Sequence, residues 1–245
     1  MAKKINWNGL EVNELLVDGN SKIGKGVYHF STLPGTAYYM HSKYNFQVKG
    51  TCPCDCKGCY GMTGNYRFSN VKDSLAIRTL VARTDLAFFV DQINREIKKH
   101  NIKYIRIHAT GDFFSNDYVL AWVEIAKANP GVIFWTYTKA TFPAVAILDS
   151  LENVNIVSSI IPGKGFNFGN CAYILAAYEY LKGIGENPYI CRCGIDNNQH
   201  CTTCKGCSKH KYVLFLEHST GYKAENDKLF PIVKELIENQ SFLEF

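Results

Sequence analysis

The stretch IKYIRIHATGDFFS, residues 102–115, decides the fold class. Its first half alternates isoleucine or alanine with Arg106, His108 and other polar residues, which is the period of two of a half-buried strand. Ser115 or Asn116 then provides an N-cap for the apolar pattern of a helix. A strand that turns directly into a helix is the repeating unit of an α/β fold.

The same alternation continues on both sides of this stretch. Upstream, Asp85 predicts the cap of a helix with one apolar face. Downstream, strands are predicted over 132–138 and 154–160, with Pro143 in the first turn of the helix between them. The later predicted elements are a helix over 172–181, a strand over 211–218 and a closing helix over 227–240.

Strand, helix and strand in regular succession predict a parallel sheet with right-handed crossovers. About six such units form a full or partial (β/α) barrel, and an open doubly wound sheet is the alternative that periodicity leaves open. We divide the chain into an N-terminal extension with the first strand (1–50), a barrel core (51–190) and a cysteine-rich segment with the late strand and closing helix (191–245). Function is expected at the carboxyl ends of the strands.

The composition describes a soluble globular protein with many cysteines. Hydrophobic residues make up 47% of the 245 residues, and the net charge of +5 is too small to indicate nucleic-acid binding alone. The start of the chain has no secretory pattern, and no apolar run is long enough to cross a membrane. We therefore expect a cytoplasmic protein whose ten cysteines are metal ligands more often than disulfide partners.

The first cysteine cluster is TCPCDCKGCYG, residues 51–61. Cys52, Cys56 and Cys59 are spaced C-x3-C-x2-C, so one tight loop can bind three irons of a [4Fe–4S] cluster and leave the fourth iron open. Cys54 lies between two of these ligands and is interpreted as a non-ligand. A four-cysteine zinc site that includes Cys54, and free thiols, are the alternatives.

This spacing resembles the signature of the radical S-adenosylmethionine (radical SAM) superfamily. The resemblance implies that the open iron binds S-adenosylmethionine, whose reductive cleavage gives a 5′-deoxyadenosyl radical. It also implies that Thr110, Gly111 and Asp112, at the end of the strand after the loop, correspond to the family's glycine-rich acidic motif and hold the SAM amino group. Gly58 stands where the family usually has an aromatic residue, and Tyr60, one position after Cys59, is a candidate contact for the adenine.

A closer resemblance is to the phage-borne gene product 88 family. It rests on the CY pair, the TGDFF strand end, the FWTYTK strand and the C-terminal cysteines, and extends from about residue 20 to 218. This resemblance supports the fold and the cluster rather than a particular reaction. It implies the host cytoplasm as the location if the chain is phage-encoded.

The second cysteine cluster lies within CRCGIDNNQHCTTCKGCSKH, residues 191–210. Its C-x2-C-x2-C run needs one upstream cysteine to complete a closed four-ligand set, which suits either a second [4Fe–4S] cluster or zinc. Cys191 is preferred over Cys193 because of the matching cysteine in the phage group. The predicted ligands are therefore Cys191, Cys201, Cys204 and Cys207.

Polar residues near the strand ends complete the candidate site. Arg106, His108 and Thr110 are expected to face the barrel interior, away from the apolar helix side. His108 is a candidate proton donor, with a hydrogen-bonded core histidine as the alternative. The resemblance implies that Ser158 or Ser159 contacts the SAM carboxylate or ribose.

Three functions compete at this point. The first is a radical SAM enzyme acting on an unknown substrate, reduced by an external donor such as flavodoxin or ferredoxin. The second is a zinc-stabilised module that binds phage or host nucleic acid. The third is a barrel that keeps its cluster without SAM turnover and serves as an electron carrier or sensor.

Overall fold

The computed structural model describes residues 4–20, 23–54, 59–158, 168–169, 171–192, 200–204, 206–216 and 224–240. The strands are β1 (Lys4–Trp7), β2 (Leu10–Asn13), β3 (Val17–Asp18), β4 (Tyr28–Phe30), β5 (Tyr38–Met40), β6 (Gln47–Lys49), β7 (Tyr104–Ile107), β8 (Ile133–Thr138), β9 (Val154–Ser158), β10 (Phe168–Gly169), β11 (Tyr189–Ile190) and β12 (Val213–Leu216). The helices are α1 (Ser69–Thr84), α2 (Leu86–His100), α3 (Asn116–Ala128), α4 (Pro143–Asp149), α5 (Cys171–Gly183), α6 (Cys201–Cys204) and α7 (Phe230–Glu238). These elements confirm a mixed α/β fold.

The main sheet has the order β3-β4-β7-β8-β9. Its last four strands are parallel and occur in chain order, with the separate β5–β6 hairpin between β4 and β7, and only the short β3 runs antiparallel. This order follows from the predicted strand–helix–strand units, because each helix returns the chain to the same end of the sheet. The carboxyl ends of β4, β7, β8 and β9 therefore lie along one edge.

One face of the main sheet is covered by helices. Ile105, Ile107 and Phe134 point to that face and share a core with residues of α1, α2, α3 and α4. Trp135 and Val157 point to the opposite face, where they pack against Tyr189 and Val213 of a second sheet. The alternation along each strand thus places helices on one side and a strand-lined interior on the other.

The second sheet is β10-β12-β11, and all its pairs are parallel. Its outer face packs on α5 and α7 through Ile190, Leu214 and Leu216. The two sheets therefore face each other with helices outside both. Among the described residues no strand pair joins them by hydrogen bonds, so a closed barrel is not seen in that part of the chain.

Local side-chain features set the first residues of α2, α3 and α4. Ser115 Oγ accepts a hydrogen bond from Tyr118 N, and Pro143 occupies the first turn of α4, both as predicted. Asp85 caps α2 by accepting from Phe88 N at 3.1 Å. Its other carboxylate oxygen accepts from Trp7 Nε1 at 3.1 Å and so joins the N-terminal hairpin to the helix layer.

Asp85→Ala is expected to lower the free energy of unfolding by about 2 kcal/mol, because it removes a helix cap and leaves the indole N–H of Trp7 without its acceptor. Asp85→Asn is the matched control, since it keeps one oxygen for the cap and loses only the second acceptor. Urea unfolding followed by circular dichroism measures both. Equal stability of Asp85→Ala and the wild type would contradict this account of the cap.

Candidate functional site

The first cysteine loop begins at the carboxyl edge of the main sheet. Thr51 N donates to Leu33 O at 2.9 Å and Cys52 N to Gly35 O at 3.1 Å, so the loop leaves the sheet beside the end of β4. On the return, Cys59 O accepts from Met62 N, and Gly61 packs against Thr110 beyond the end of β7. Cys56 and the side chain of Tyr60 lie outside the described residues.

Five buried side chains join this loop to the ends of β4, β7 and β8, and we call them the strand-end network: Thr32, Thr51, Thr110, Asp112 and Thr138. Thr110 Oγ1 donates to Thr32 O at 2.7 Å, and the hydroxyls of Thr32 and Thr51 are 2.8 Å apart. Thr51 Oγ1 also accepts from Asp112 N at 3.0 Å. The residue before the first cysteine is therefore fixed directly to the predicted cofactor-binding strand end.

Asp112 links the ends of β7 and β8. Its Oδ1 accepts from Phe113 N and from the hydroxyl of Thr138, and its Oδ2 accepts from Lys139 N at 2.8 Å. Burial raises the pKa of Asp112 even though these hydrogen bonds and the charge of Lys139 favour the ionised form. A carboxylate offers about four acceptor positions, so one position on Oδ2 remains for a ligand.

Gly111 allows the strand end and the cysteine loop to approach each other. Its φ of +82° lies in the left-handed region. A Cβ at this position would overlap Thr32 Oγ1 and lie 2.6 Å from Thr51 Oγ1. Only glycine satisfies both the backbone conformation and the close approach.

The prediction that the His108 side chain faces the barrel interior is wrong. Its φ of +63° breaks the alternation of β7 and turns the imidazole to the helix side. There Nε2 is 2.8 Å from the hydroxyl of Tyr118, and the ring packs edge-on against Phe113. Burial, with a contribution from the charge of Arg106, lowers the pKa of His108 to about 3. These are the contacts of a buried core histidine, which was the alternative at this position.

The remaining predicted residues divide between the interior and the strand edge. Arg106 faces the interior as expected, with its guanidinium carbon 4.9 Å from the ring centroid of Tyr137. Ser158 is exposed at the end of β9, in register with Thr138. It therefore lies on the same edge as the strand-end network, whereas Ser159 lies outside the described residues.

The four predicted ligands of the second site lie in one cluster on the interior face of the main sheet. Cys191 and Cys207 are buried there with Trp135 and Val213, and Cys201 and Cys204 pack against the same group. Cys191 directly follows β11, Cys201 and Cys204 are the two ends of α6, and Cys207 lies in the next turn. The four cysteines therefore belong to one packed cluster, and their role as metal ligands stays a prediction.

Backbone contacts hold this cysteine cluster in place. Asn155 of β9 donates through Nδ2 to Cys207 O at 2.7 Å and to His210 O at 3.1 Å. Thr202 N donates to Ile23 O in the turn before β4. The cluster is therefore tied to both edges of the parallel part of the main sheet.

Two tyrosines pack against the cysteines of this cluster. Tyr189 Oη lies 2.7 Å from Cys204 Sγ, and Tyr137 packs against the group that contains Cys207. Burial is the main cause that raises the pKa of each tyrosine, and the neighbouring cysteines raise it further. Both hydroxyls therefore remain protonated at neutral pH.

Both cysteine clusters offer the donor chemistry of a metal centre. In the described ranges, no three side chains among His, Cys, Asp and Glu already converge as a ligand set. The four cysteines of the second cluster pack in one group, and Cys52 and Cys59 of the first are half-exposed near the carboxyl ends of the strands. Thiols in these settings suit iron–sulfur or zinc ligation.

Sequence reasoning missed Thr32, Thr51, Tyr137 and Tyr189 as site residues. Threonine and tyrosine are common in strands, so their residue types alone carry no functional signal. The usable signal was position, because Thr51 immediately precedes the first cysteine and Tyr189 stands two residues before Cys191.

The chain is similar to two curated proteins of mycobacterial phages. It is 36% identical over 107 residues to the gene 88 protein of Mycobacterium phage L5, covering 39% of this chain and 42% of that protein. It is 33% identical over 113 residues to the gene 88 protein of Mycobacterium phage D29, covering 42% of this chain and 45% of that protein. The chain thus spans less than half the length of these curated relatives.

No solved structure matches the chain at a significant level. None of the helices in the described ranges combines the length and the apolar character needed to cross a bilayer. The family model of gene product 88 matches residues 14–230, which include both cysteine clusters and the strand-end network. The chain therefore belongs to the gene product 88 family.

Proposed function

We propose that the protein is an iron–sulfur protein of radical SAM type. Cys52, Cys56 and Cys59 would hold a [4Fe–4S] cluster with one open iron, and S-adenosylmethionine would bind there. When bound, these groups supply reductive cleavage of the sulfonium and a radical that acts on a substrate still to be identified. The fold would then be a partial (β/α) barrel, a proposal supported by the helices that lie outside both parallel sheets.

The observation that carries the proposal is the contact between the cysteine loop and the end of β7. The hydroxyl of Thr51, next to Cys52, accepts from Asp112 N at 3.0 Å. The resemblance to radical SAM proteins requires the cluster loop and the acidic strand end to form one site, although they are about fifty residues apart in the chain. A zinc site with a purely structural role has no such requirement.

The chain's own residues provide a polar, water-excluding floor for such a site. Thr110, Gly111 and Asp112 are fixed by the strand-end network, and the free acceptor position of Asp112 is available to an ammonium group. Gly111 has no side chain that would block a ligand from the backbone. Ser158 offers an exposed hydroxyl on the same edge, and Tyr60 follows the third cysteine directly.

The second site would hold another [4Fe–4S] cluster or zinc through Cys191, Cys201, Cys204 and Cys207. Because four protein ligands leave no open coordination position, it would stabilise the fold or relay electrons. The half-exposed Cys52 and Cys59 would let an external donor such as flavodoxin or ferredoxin approach the first site.

The test is metal analysis of protein purified without oxygen. We expect at least four irons and matching sulfide per chain, a broad visible absorbance, and a spectral change on adding S-adenosylmethionine. The variant Cys52→Ala/Cys56→Ala/Cys59→Ala should lose the spectral change and about four irons, whereas Cys54→Ala should keep both. Reductant-driven release of 5′-deoxyadenosine then tests turnover.

The outcome that overturns the proposal is equally specific. Two zincs per chain, no sulfide and no visible absorbance would exclude the open-cluster site. Salt-dependent binding of nucleic acid by that zinc protein would then favour the nucleic-acid-binding alternative. Four irons with no response to S-adenosylmethionine would favour an electron carrier or sensor.

A further inference from the structure

The net positive charge of the chain comes from one segment. Residues 31–84, from the end of β4 to the end of α1, contain seven of the 27 basic residues and only two of the 22 acidic residues. This excess equals the net charge of +5, so basic and acidic residues balance over the rest of the chain. The exposed basic side chains among the described residues of this segment are Lys43, Lys49, Arg67 and Arg83. None of these four is paired with a carboxylate in the described ranges, so their charges are available to an anionic partner.

The β5–β6 hairpin presents an exposed aromatic and basic surface within this segment. We call four of its exposed side chains the hairpin face: Tyr38, Met40, Gln47 and Lys49. Tyr38 pairs with Lys49 and Met40 with Gln47 in the antiparallel register, so the four side chains lie on the same side of the hairpin. Tyr38 is 66% exposed and Met40 56% exposed. The hairpin therefore carries a ring and an ammonium group side by side, next to a second apolar side chain.

The helix α1 holds this hairpin at both ends. Beside the turn, Asp73 Oδ1 accepts from Tyr39 Oη and from Ser42 N, each at 2.9 Å. At the end of β6, Arg83 Nη2 donates to Gly50 O at 3.1 Å. Tyr39 points away from the hairpin face and packs against the core that includes α1, so Asp73 is engaged on the far side. The hairpin face is thus preformed, and the acidic residue of α1 does not neutralise it.

We propose that the hairpin face binds single-stranded nucleic acid. An exposed aromatic ring beside positive charges is the arrangement on which bases of a single strand stack while their phosphates are neutralised. Tyr38 provides the ring, and Lys49 directly across from it provides the charge. Met40 lies two residues further along the strand, about 7 Å away, and extends the apolar surface for a neighbouring base. The bases of a duplex are stacked on one another, so a duplex does not offer this contact.

This binding goes beyond the proposed function because it requires no metal. The same positive charges would attract an acidic protein, but a ring and a lysine in register match the alternation of base and phosphate more closely. Lys49 stands three residues before Cys52. A strand bound on the hairpin face would therefore lie beside the first cysteine loop.

The test is fluorescence anisotropy of a labelled oligothymidylate of about 20 nucleotides, longer than one site of this kind. We expect salt-dependent binding with a Kd between about 1 and 100 μM at physiological salt. Tyr38→Ala should weaken binding about tenfold, the loss of one stacked base, whereas Tyr38→Phe keeps the ring and should stay within about twofold of the wild type. The matched control is Tyr180→Ala in α5, whose side chain is 67% exposed, and it should bind like the wild type.

The salt dependence tests the phosphate contact separately. Lys49→Ala should reduce the slope of log affinity against log salt concentration by about 0.7, the value for one phosphate of a single strand. Lys127→Ala removes an exposed lysine of α3, outside the basic segment, and should leave the slope unchanged. Circular dichroism checks that each variant folds, and Lys49→Ala gives an independent result should Tyr38→Ala not fold.

Three results would overturn the proposal: no binding of the strand at about 100 μM protein, equal affinities of Tyr38→Ala and Tyr180→Ala, or a duplex of the same length bound as tightly as the single strand. A dimer that Tyr38→Ala dissociates, without binding of the strand, would instead assign the hairpin face to a second copy of the chain. Iron content and the spectral response to S-adenosylmethionine are measured on the same preparations. Failure of strand binding then leaves the first cysteine site standing, and failure of the iron site leaves strand binding standing.

Discussion

Replacing Gly111 with alanine is expected to lower the free energy of unfolding by about 3 kcal/mol. Part of this cost comes from the φ of +82°, which a residue with a Cβ rarely adopts. The rest arises because the new methyl group overlaps Thr32 Oγ1, so the hydrogen bond between Thr32 and Thr51 must break or shift. Since Thr51 precedes Cys52, the change should also weaken the spectral response to S-adenosylmethionine.

Gly131→Ala is the matched control for that experiment. Gly131 lies in the turn before β8, and an added Cβ there meets no atom within 4 Å. We expect its stability to remain within about 0.5 kcal/mol of the wild type. Urea unfolding of both variants gives the comparison, and a Gly111→Ala protein as stable as Gly131→Ala would show that the strand end is not closely packed against the cysteine loop.

Much of the fold could be predicted because its signals are local. The strands β7, β8 and β9 follow from apolar alternation, and α2, α3 and α4 begin at residues whose side chains or ring geometry suit a first turn. The helix α1 was not predicted. Its buried face includes Arg78 and Thr79 as well as apolar residues, so the apolar periodicity of a helix is weak in this part of the sequence. The missed hairpin β1–β2 turns at Asn8-Gly9, a pair typical of tight hairpins that could have been recognised.

The positions of site residues could be predicted where a short separation along the chain keeps those residues close in space. Cys201, Cys204 and Cys207 are close in the chain and so stay close in space, whereas Cys191 was chosen from the resemblance to the phage family; all four pack in one cluster, and metal binding by them stays a prediction. The contact between the first cysteine loop and Asp112 was expected from the resemblance, and it forms even though the antiparallel hairpin β5–β6 stands between β4 and the loop. His108 was assigned the wrong direction because a positive φ at a single residue reverses the pleat, and no residue type other than glycine signals that conformation strongly.

Asp112→Ala is expected to have the largest effect on stability, a loss of about 4 kcal/mol in the free energy of unfolding. The carboxylate accepts from Phe113 N, Thr138 Oγ1 and Lys139 N. All three donors lose their acceptor in the alanine variant, and removing the cost of burying a charge offsets only part of this. Chemical unfolding monitored by tryptophan fluorescence provides the measurement.

A graded series separates the contributions of the two oxygens. Asp112→Asn keeps one oxygen for Phe113 N and Thr138 but turns an amide donor towards Lys139 N, so we expect it to lose about half as much stability as Asp112→Ala. Glu124→Ala removes one acidic charge from the exposed face of α3 and should change stability by less than about 0.5 kcal/mol. If Asp112→Asn instead matches the wild type, the bond to Lys139 N contributes little and the ends of β7 and β8 are held together by other contacts. In that case the carboxylate would be retained for a ligand rather than for the fold, and the response to S-adenosylmethionine should disappear in Asp112→Asn without any loss of stability.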